Sequence, residues 1–442
     1  MRSWQIKLQK ILIFSYLLLN LIFSLNHKSF AKEINLKNIE DLRKFNAHNE
    51  NIVVLINKKI EILNDLVVNK NITLQFKEKG SFKINKNVSL RINGLIKTKR
   101  KIFYFEDKNN GYKNLLLTSE NFDVRWFGEP NDIISQKYSS YHNKTMYFDN
   151  YTIKSVLNFR ISNIKAHFNN TVIERTFHFS DHPYNENEKF IENIKITGNL
   201  YIQERLGGLK GKNIFIDRVN ILSSENQMPA GVHIYDSIEN LNINYLYIED
   251  SIRNYAFGID SSTLEKMPKN INIKEIEIKN SFVHGALING NNINIGKINI
   301  SSFGDMRKSK FISKLTKGFN IPLNFEYLDL FEYSPKGVVI AYGSNINISE
   351  LVVKTENYSV KNFFDYFKIK KFFIWPSIYF VDLTNKANIE KITMEIPKSV
   401  KIVNKILNLL NNLLFKLLDM GDENFYKVNN DYINLRPFKI SN

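Results

Sequence analysis

The phrase Asn-Ile-Asn-Ile stands at residues 270–273 and again at 292–295. Around each copy the apolar residues keep one spacing. Ile271, Ile273, Ile276 and Ile278 step by two, three and two, and so do Ile293, Ile295, Ile298 and Ile300. The same steps run through Ile214, Ile216, Val219 and Ile221, through Leu241, Ile243, Leu246 and Ile248, and through Ile346, Ile348, Leu351 and Val353. A step of two is the alternation of a strand with one buried face. A step of three changes the phase, and predicts a corner where the chain bends and a second short strand begins.

The first copies lie 27, 30 and 22 residues apart, the length of a structural repeat. No helical pattern separates them, so they are not strand–helix–strand units. The spacing predicts an all-β chain, a single-stranded parallel β-helix whose coils stack about 4.8 Å apart. Inward Ile, Leu and Val then stack on their counterparts, each contributing about 1.5–3 kcal/mol when buried. One coil cannot bury its own apolar face, so many must stack. Asn213, Asn240, Asn270, Asn292 and Asn345 each sit one residue ahead of a copy, with Asn163, Asn193 and Asn388 in similar places in weaker copies. Asn tolerates the left-handed backbone of a sharp corner, and stacked amides bond from coil to coil. These asparagines are expected to be structural.

The first 31 residues read as a secretory signal rather than as part of the fold. Arg2, Lys7 and Lys10 precede the apolar run Ile11–Leu25, and Ser29-Phe30-Ala31 offers small residues for cleavage. The alternative is an uncleaved N-terminal anchor. Either predicts a secreted, periplasmic or cell-surface protein. The chain has no cysteine, so no disulfide framework helps the fold. Its formal charge is +17, and residues 1–31 hold four basic residues and no acid, which leaves about +13. That charge favours an acidic polysaccharide or a lipid surface as partner; abundant Ile, Asn, Lys, Phe and Tyr also fit plain codon bias. An exported chain without a binding motif is not expected to meet nucleic acid.

The stretch Val68–Asn109 contains Ile92-Asn93-Gly94 and leads to Val124–Asp132, VRWFGEPND. Together they resemble the N-terminal part of the pectate-lyase superfamily, pectin lyase-like right-handed parallel β-helices, whose signature begins Trp-Phe-Gly. Trp126, Phe127 and Gly128 match it. The family's Gly-Asp-Gly and Asp-Asp-Thr are missing, and Glu129-Pro130-Asn131-Asp132 runs on into Ile133-Ile134-Ser135-Gln136. The resemblance implies a divergent member. The family holds lyases, glycoside hydrolases, epimerases and non-catalytic surface proteins, so the fold does not choose among them.

The chain divides into the signal at 1–31, an N-terminal cap and first coils at 32–125, with a short capping helix over Glu40–Phe45, the main β-helix at 126–398, and a C-terminal amphipathic helix and tail at 399–442. Asp305–Pro335 and Ser359–Pro376 break the period as insertions; the second is rich in Phe, Tyr and Lys. Val400–Leu418 has apolar residues at helical spacing and is expected to cap the open end of the stack. The segments 359–376 and 400–418 are the candidate contacts to a membrane surface or a second copy.

Substrates of such folds lie along an outward sheet face. Val232 and Ile234 point inward, which turns His233 and Tyr235 outward. Inward Phe257 and Ile259 turn Asp260 outward, and inward Ala286 and Ile288 turn Asn289 outward. Tyr235, Asp260 and Asn289 are therefore expected in one column, with Asp236 and Ser261 at the adjacent corner. Arg253, Tyr255 and His284 enter just upstream. Asp236 and Asp260 are the best carboxylate pair, on neighbouring coils that allow roughly the 5–9 Å of glycosidase pairs. The pair could instead hold Ca²⁺, which takes several oxygens. A lyase would use Arg253 or His284 as the base beside a uronate carboxylate. Polygalacturonase-type members carry Asn-Thr-Asp, Asp-Asp and Gly-His-Gly where this chain has Ile234-Tyr235-Asp236, Ile259-Asp260-Ser261 and Val283-His284-Gly285; only single residues match. His182, in a proline-containing loop, is a weaker candidate, and no metal or phosphate-loop motif occurs. The expected function is polysaccharide processing on an acidic glycan, by lysis, hydrolysis or epimerisation, with His233, Tyr235, Tyr255 and Asn289 holding substrate. The alternative is a non-catalytic β-helix that binds glycan or builds a surface structure.

Overall fold

The computed structural model describes residue 15 and residues 32–179, 190–208, 211–227, 229–251, 255–281, 284–303, 336–354, 381–383, 387–417, 428–429 and 433–435. The signal reading (residue 15 aside), both insertions, His182 and Arg253 lie outside the described residues. The chain forms two compact units, Met1–Ser119 and Glu120–Asn442.

In the first unit the chain visits three parallel sheets in turn. Ile52–Ile56, Lys59–Ile62 and Leu66–Val68 begin one round, and Ile72–Phe76, Ser81–Ile84 and Leu90–Ile92 the next. Each strand pairs in parallel with its counterpart about one round away. The alternation of the sequence fixes the faces: Ile72, Leu74 and Phe76 are buried, and Thr73 and Gln75 are not. The short helix spans Ile39–Phe45, opened by a capping box in which Asn38 and Asp41 each accept the other's backbone N–H.

In the second unit the chain alternates between two sheets. Long strands (Ile191–Ile202, Gly211–Ile221, Ile238–Ile248, Lys269–Ile278, Gly290–Ile300, Gly343–Lys354) stack in one, each parallel to the last. Short strands (Arg205–Gly208, Gly231–Tyr235, Tyr255–Asp260, His284–Ile288, Val338–Ile340, Val381–Leu383) stack in the other. Ile216, Ile243, Ile273, Ile295 and Ile348 are register partners, each at most 2% exposed. The other three positions of the two-three-two step form three more buried columns.

The step of three differs from its expectation. Asp217, Asn244, Lys274, Gly296 and Ser349 drop out of the pairing, yet the strand runs on in the same sheet on either side. The chain bends within one long strand and no second strand begins. The Asn corners are as read: Asn163, Asn193, Asn213, Asn240, Asn270, Asn292 and Asn345 have φ between 53° and 62°. Each amide from Asn193 onward donates to the one before it at 2.9–3.1 Å. Asn388 is a correction. It pairs with Asn347, so it is the second asparagine of the phrase and no corner residue.

Trp126 closes a 3-10 turn, and Phe127 packs on Phe122 and Tyr138. The helix Ile133–His142 follows, and Asp132 caps it through the N–H of Ile134. The C-terminal helix runs from Lys398 to Leu417. Val400 and Asn404 are buried, whereas Ile402, Ile406 and Leu409 face solvent. Among the described residues no helix is long and apolar enough to cross a membrane.

Candidate functional site

Three neighbouring short strands position the candidate residues. Val232, Phe257 and Ala286 are register partners on the buried face, as are Ile234, Ile259 and Ile288. The alternation therefore carries Tyr235 onto Asp260, its partner, and the next rung places Asn289 against the same carboxylate. Gly231 opens the first strand at φ 77°, where an added Cβ would lie 2.0 Å from the Ala256 carbonyl oxygen. Only glycine starts this strand without displacing its neighbour.

Asp260 and Asp236 sit on adjoining backbones, the Asp236 N–H donating to the Asp260 carbonyl at 3.2 Å. Their carboxylates have different partners. Asp260 accepts the Asn289 amide at 3.1 Å, and Asn289 in turn accepts the N–H groups of Ala341 and Tyr342 at 3.0 Å each. Asn289 is thus buried rather than open to a ligand. Asp236 accepts the Ser262 N–H at 2.7 Å and its hydroxyl at 2.9 Å. Asp236 and Ser237 both hold positive φ, 37° and 34°, a backbone that side chains rarely adopt and that concentrates at functional sites.

His284 is the main correction. The sequence reading made it a candidate base beside the substrate, but it is buried, 9% exposed, and stacked on Tyr255 with ring centroids 5.1 Å apart. Its Nδ1 accepts the Lys336 backbone N–H at 2.9 Å, which leaves the proton on Nε2. Burial, with the Lys336 charge second, pushes its pKa down to about 3. His284 is therefore a neutral imidazole whose Nδ1 lone pair is already engaged. Tyr255 is pushed up to about 12 by burial and then by the charge of Asp260, so it stays a phenol and a donor. His233, Tyr235 and Tyr255 are half-buried. Of the candidate residues described at this site, Asp236, Asp260, His233 and Tyr255 keep groups that can give or take a proton.

Among the described residues no three of His, Cys, Asp and Glu gather within reach of one metal ion. Sequence reasoning passed over Ser262 and over Lys336, which is 1% exposed. Nothing local marks Lys336; it meets His284 across 52 residues. It also passed over a second run of asparagines, Asn242, Asn272, Asn294 and Asn347, whose signal is the second Asn of the repeated phrase. No protein-family description, curated protein or solved structure matches this chain.

Proposed function

We propose that the chain is an exported right-handed parallel β-helix, akin to the pectate-lyase superfamily, that processes a polysaccharide along its short-strand sheet. Parallel sheets visited in turn, and buried columns in register, support the β-helix reading. The helix Lys398–Leu417 would close the C-terminal end. The basic charge supports an acidic glycan. The observation that carries the reading is the adjoining pair Asp236 and Asp260 beside the half-buried Tyr235 and Tyr255. Acid–base work on a glycosidic bond needs two such groups in different surroundings. Here the Ser262 hydroxyl and N–H face one carboxylate, and an amide faces the other. Any Ca²⁺ at this pair would need oxygens beyond these two side chains.

A second reading, glycan binding without turnover, is favoured by His284: one of the two bases that a lyase would use is buried, with its Nδ1 lone pair already engaged. Incubating the purified protein with acidic and neutral polysaccharides separates the two. Unsaturated uronate absorbance or new reducing ends are expected. Retention on a glycan column without either product would establish the binding reading.

A further inference from the structure

A second surface lies on the long-strand sheet, away from Asp236 and Asp260. Asn242, Asn272, Asn294, Asn347 and Asn388 are successive register partners. The amide of Asn272 donates to Asn242 at 3.2 Å, that of Asn294 to Asn272 at 3.1 Å, and that of Asn347 to Asn294 at 3.0 Å. This ladder borders a groove of about 520 Å³, whose other side is the row of residues at the strand bend. In that row Gly296 has no room for a side chain, because a Cβ would sit 2.5 Å from the Lys274 carbonyl oxygen.

A primary amide has two N–H donors and two acceptor lone pairs. Asn272 and Asn294 each use one donor and one lone pair within the ladder. Each rung thus presents one donor and one acceptor, repeating about every 4.8 Å. A vicinal diol, which both donates and accepts, complements that pair. A sugar ring with its linking oxygen advances by on the order of 5 Å in an extended chain, so successive rings keep step with successive strands about 4.8 Å apart. Lys274 and Glu390 are the charged groups of the groove, one of each sign. Lys297 and Lys391, in a neighbouring row, are both paired with Glu350, and Glu275 stands in the same row as the register partner of Lys297, which makes three charges of each sign. A charge-balanced face complements an uncharged ligand, in contrast to the basic chain as a whole.

We infer that this amide-lined groove binds an uncharged, unbranched, extended glycan running across the strands. The inference concerns a different face and a different ligand charge from the reading of Asp236 and Asp260, and does not rest on it. The test is calorimetric titration of the full chain with cellohexaose, mannohexaose and xylohexaose, and with a galacturonate hexamer. Ser349→Trp fills the groove without touching the ladder. It is expected to weaken binding of at least one neutral hexamer about ten-fold or more at an unchanged melting temperature. Asn294→Leu removes a rung and should do the same at a lower melting temperature. Asp260→Asn should leave neutral binding as in the wild type. Wild-type protein that binds no neutral hexamer, neutral binding indifferent to Ser349→Trp, or a groove that takes only the galacturonate hexamer would each overturn the inference. Product release from an acidic polysaccharide scores the Asp236 and Asp260 reading separately.

Discussion

The side-chain amide of Asn292 donates to that of Asn270, 22 residues earlier in the chain, at 3.1 Å. Asn270 in turn donates to Asn240 at 3.0 Å, and its φ is 57°. Two properties of one residue type are used at once: tolerance of the left-handed backbone and an amide that bonds in both directions. Asn270→Gly should lose only the amide bonds, about 1–3 kcal/mol for two. Asn270→Ala should lose these and add left-handed strain of about 1–2 kcal/mol. Alanine is therefore expected to be the worse replacement, the reverse of its rank in strands and helices. Urea unfolding midpoints of the two variants decide it; alanine equal to or better than glycine would refute the corner assignment.

Ile273 is 2% exposed and lies between Ile243 and Ile295 in its column. Ile273→Ala should cost about 2–5 kcal/mol, the range for truncating a buried aliphatic side chain. Ile273→Asp places a charge where no partner can reach it, and soluble folded protein is not expected at neutral pH. Circular dichroism melts of the pair test this. A folded Ile273→Asp protein with a near wild-type melting point would show that the column is not a closed core.

The columns were legible because they are periodic: every copy repeats the same steps, so one strand predicts the next. The short helix at Ile39–Phe45 was legible because its signals are local. Asn388 was misplaced because a single asparagine before an apolar residue fits either asparagine position of the phrase. Only its pairing with Asn347, 41 residues away, separates the two. Burial of His284 was illegible for a like reason. Alternation says which way a side chain points, and says nothing of what later segment covers it. Lys336, which lies beyond the insertion 305–335, lies against the imidazole.

The burial of His284 has a pH signature. Its folded pKa is about 3, below the ordinary 6.5. Above pH 6.5 neither the folded nor the unfolded chain protonates it, and it adds no pH dependence. Between pH 6.5 and about 3 the unfolded chain binds the proton and the folded chain does not, so stability falls as pH falls. The full loss is on the order of 5 kcal/mol by linkage. His284→Gln keeps an acceptor for the Lys336 N–H and removes the titration. Denaturant unfolding at pH 7, 5 and 4 should show the wild type losing stability relative to this variant as pH falls. Parallel pH profiles would contradict a buried neutral imidazole.

The two carboxylates of the candidate site should respond differently to loss of charge. Asp260 accepts one amide N–H from Asn289, and an asparagine oxygen at the same place can accept it too. Asp260→Asn is therefore expected to leave the melting temperature nearly unchanged. Asp236 accepts both the N–H and the hydroxyl of Ser262 from a backbone at φ 37°. Asparagine tolerates that φ but provides only one oxygen and no charge, so Asp236→Asn should cost about 1–2 kcal/mol in loop stability. If the pair performs acid–base chemistry, each variant should lower turnover about 10²–10⁴-fold, the usual contribution of one such group. The ratio matters as well as the size. A general acid or base lost from Asp260 lowers kcat with little change in KM, whereas a group that only holds the sugar raises KM and spares kcat. Full activity in Asp260→Asn, with product formation intact, would move the reacting bond away from these strands.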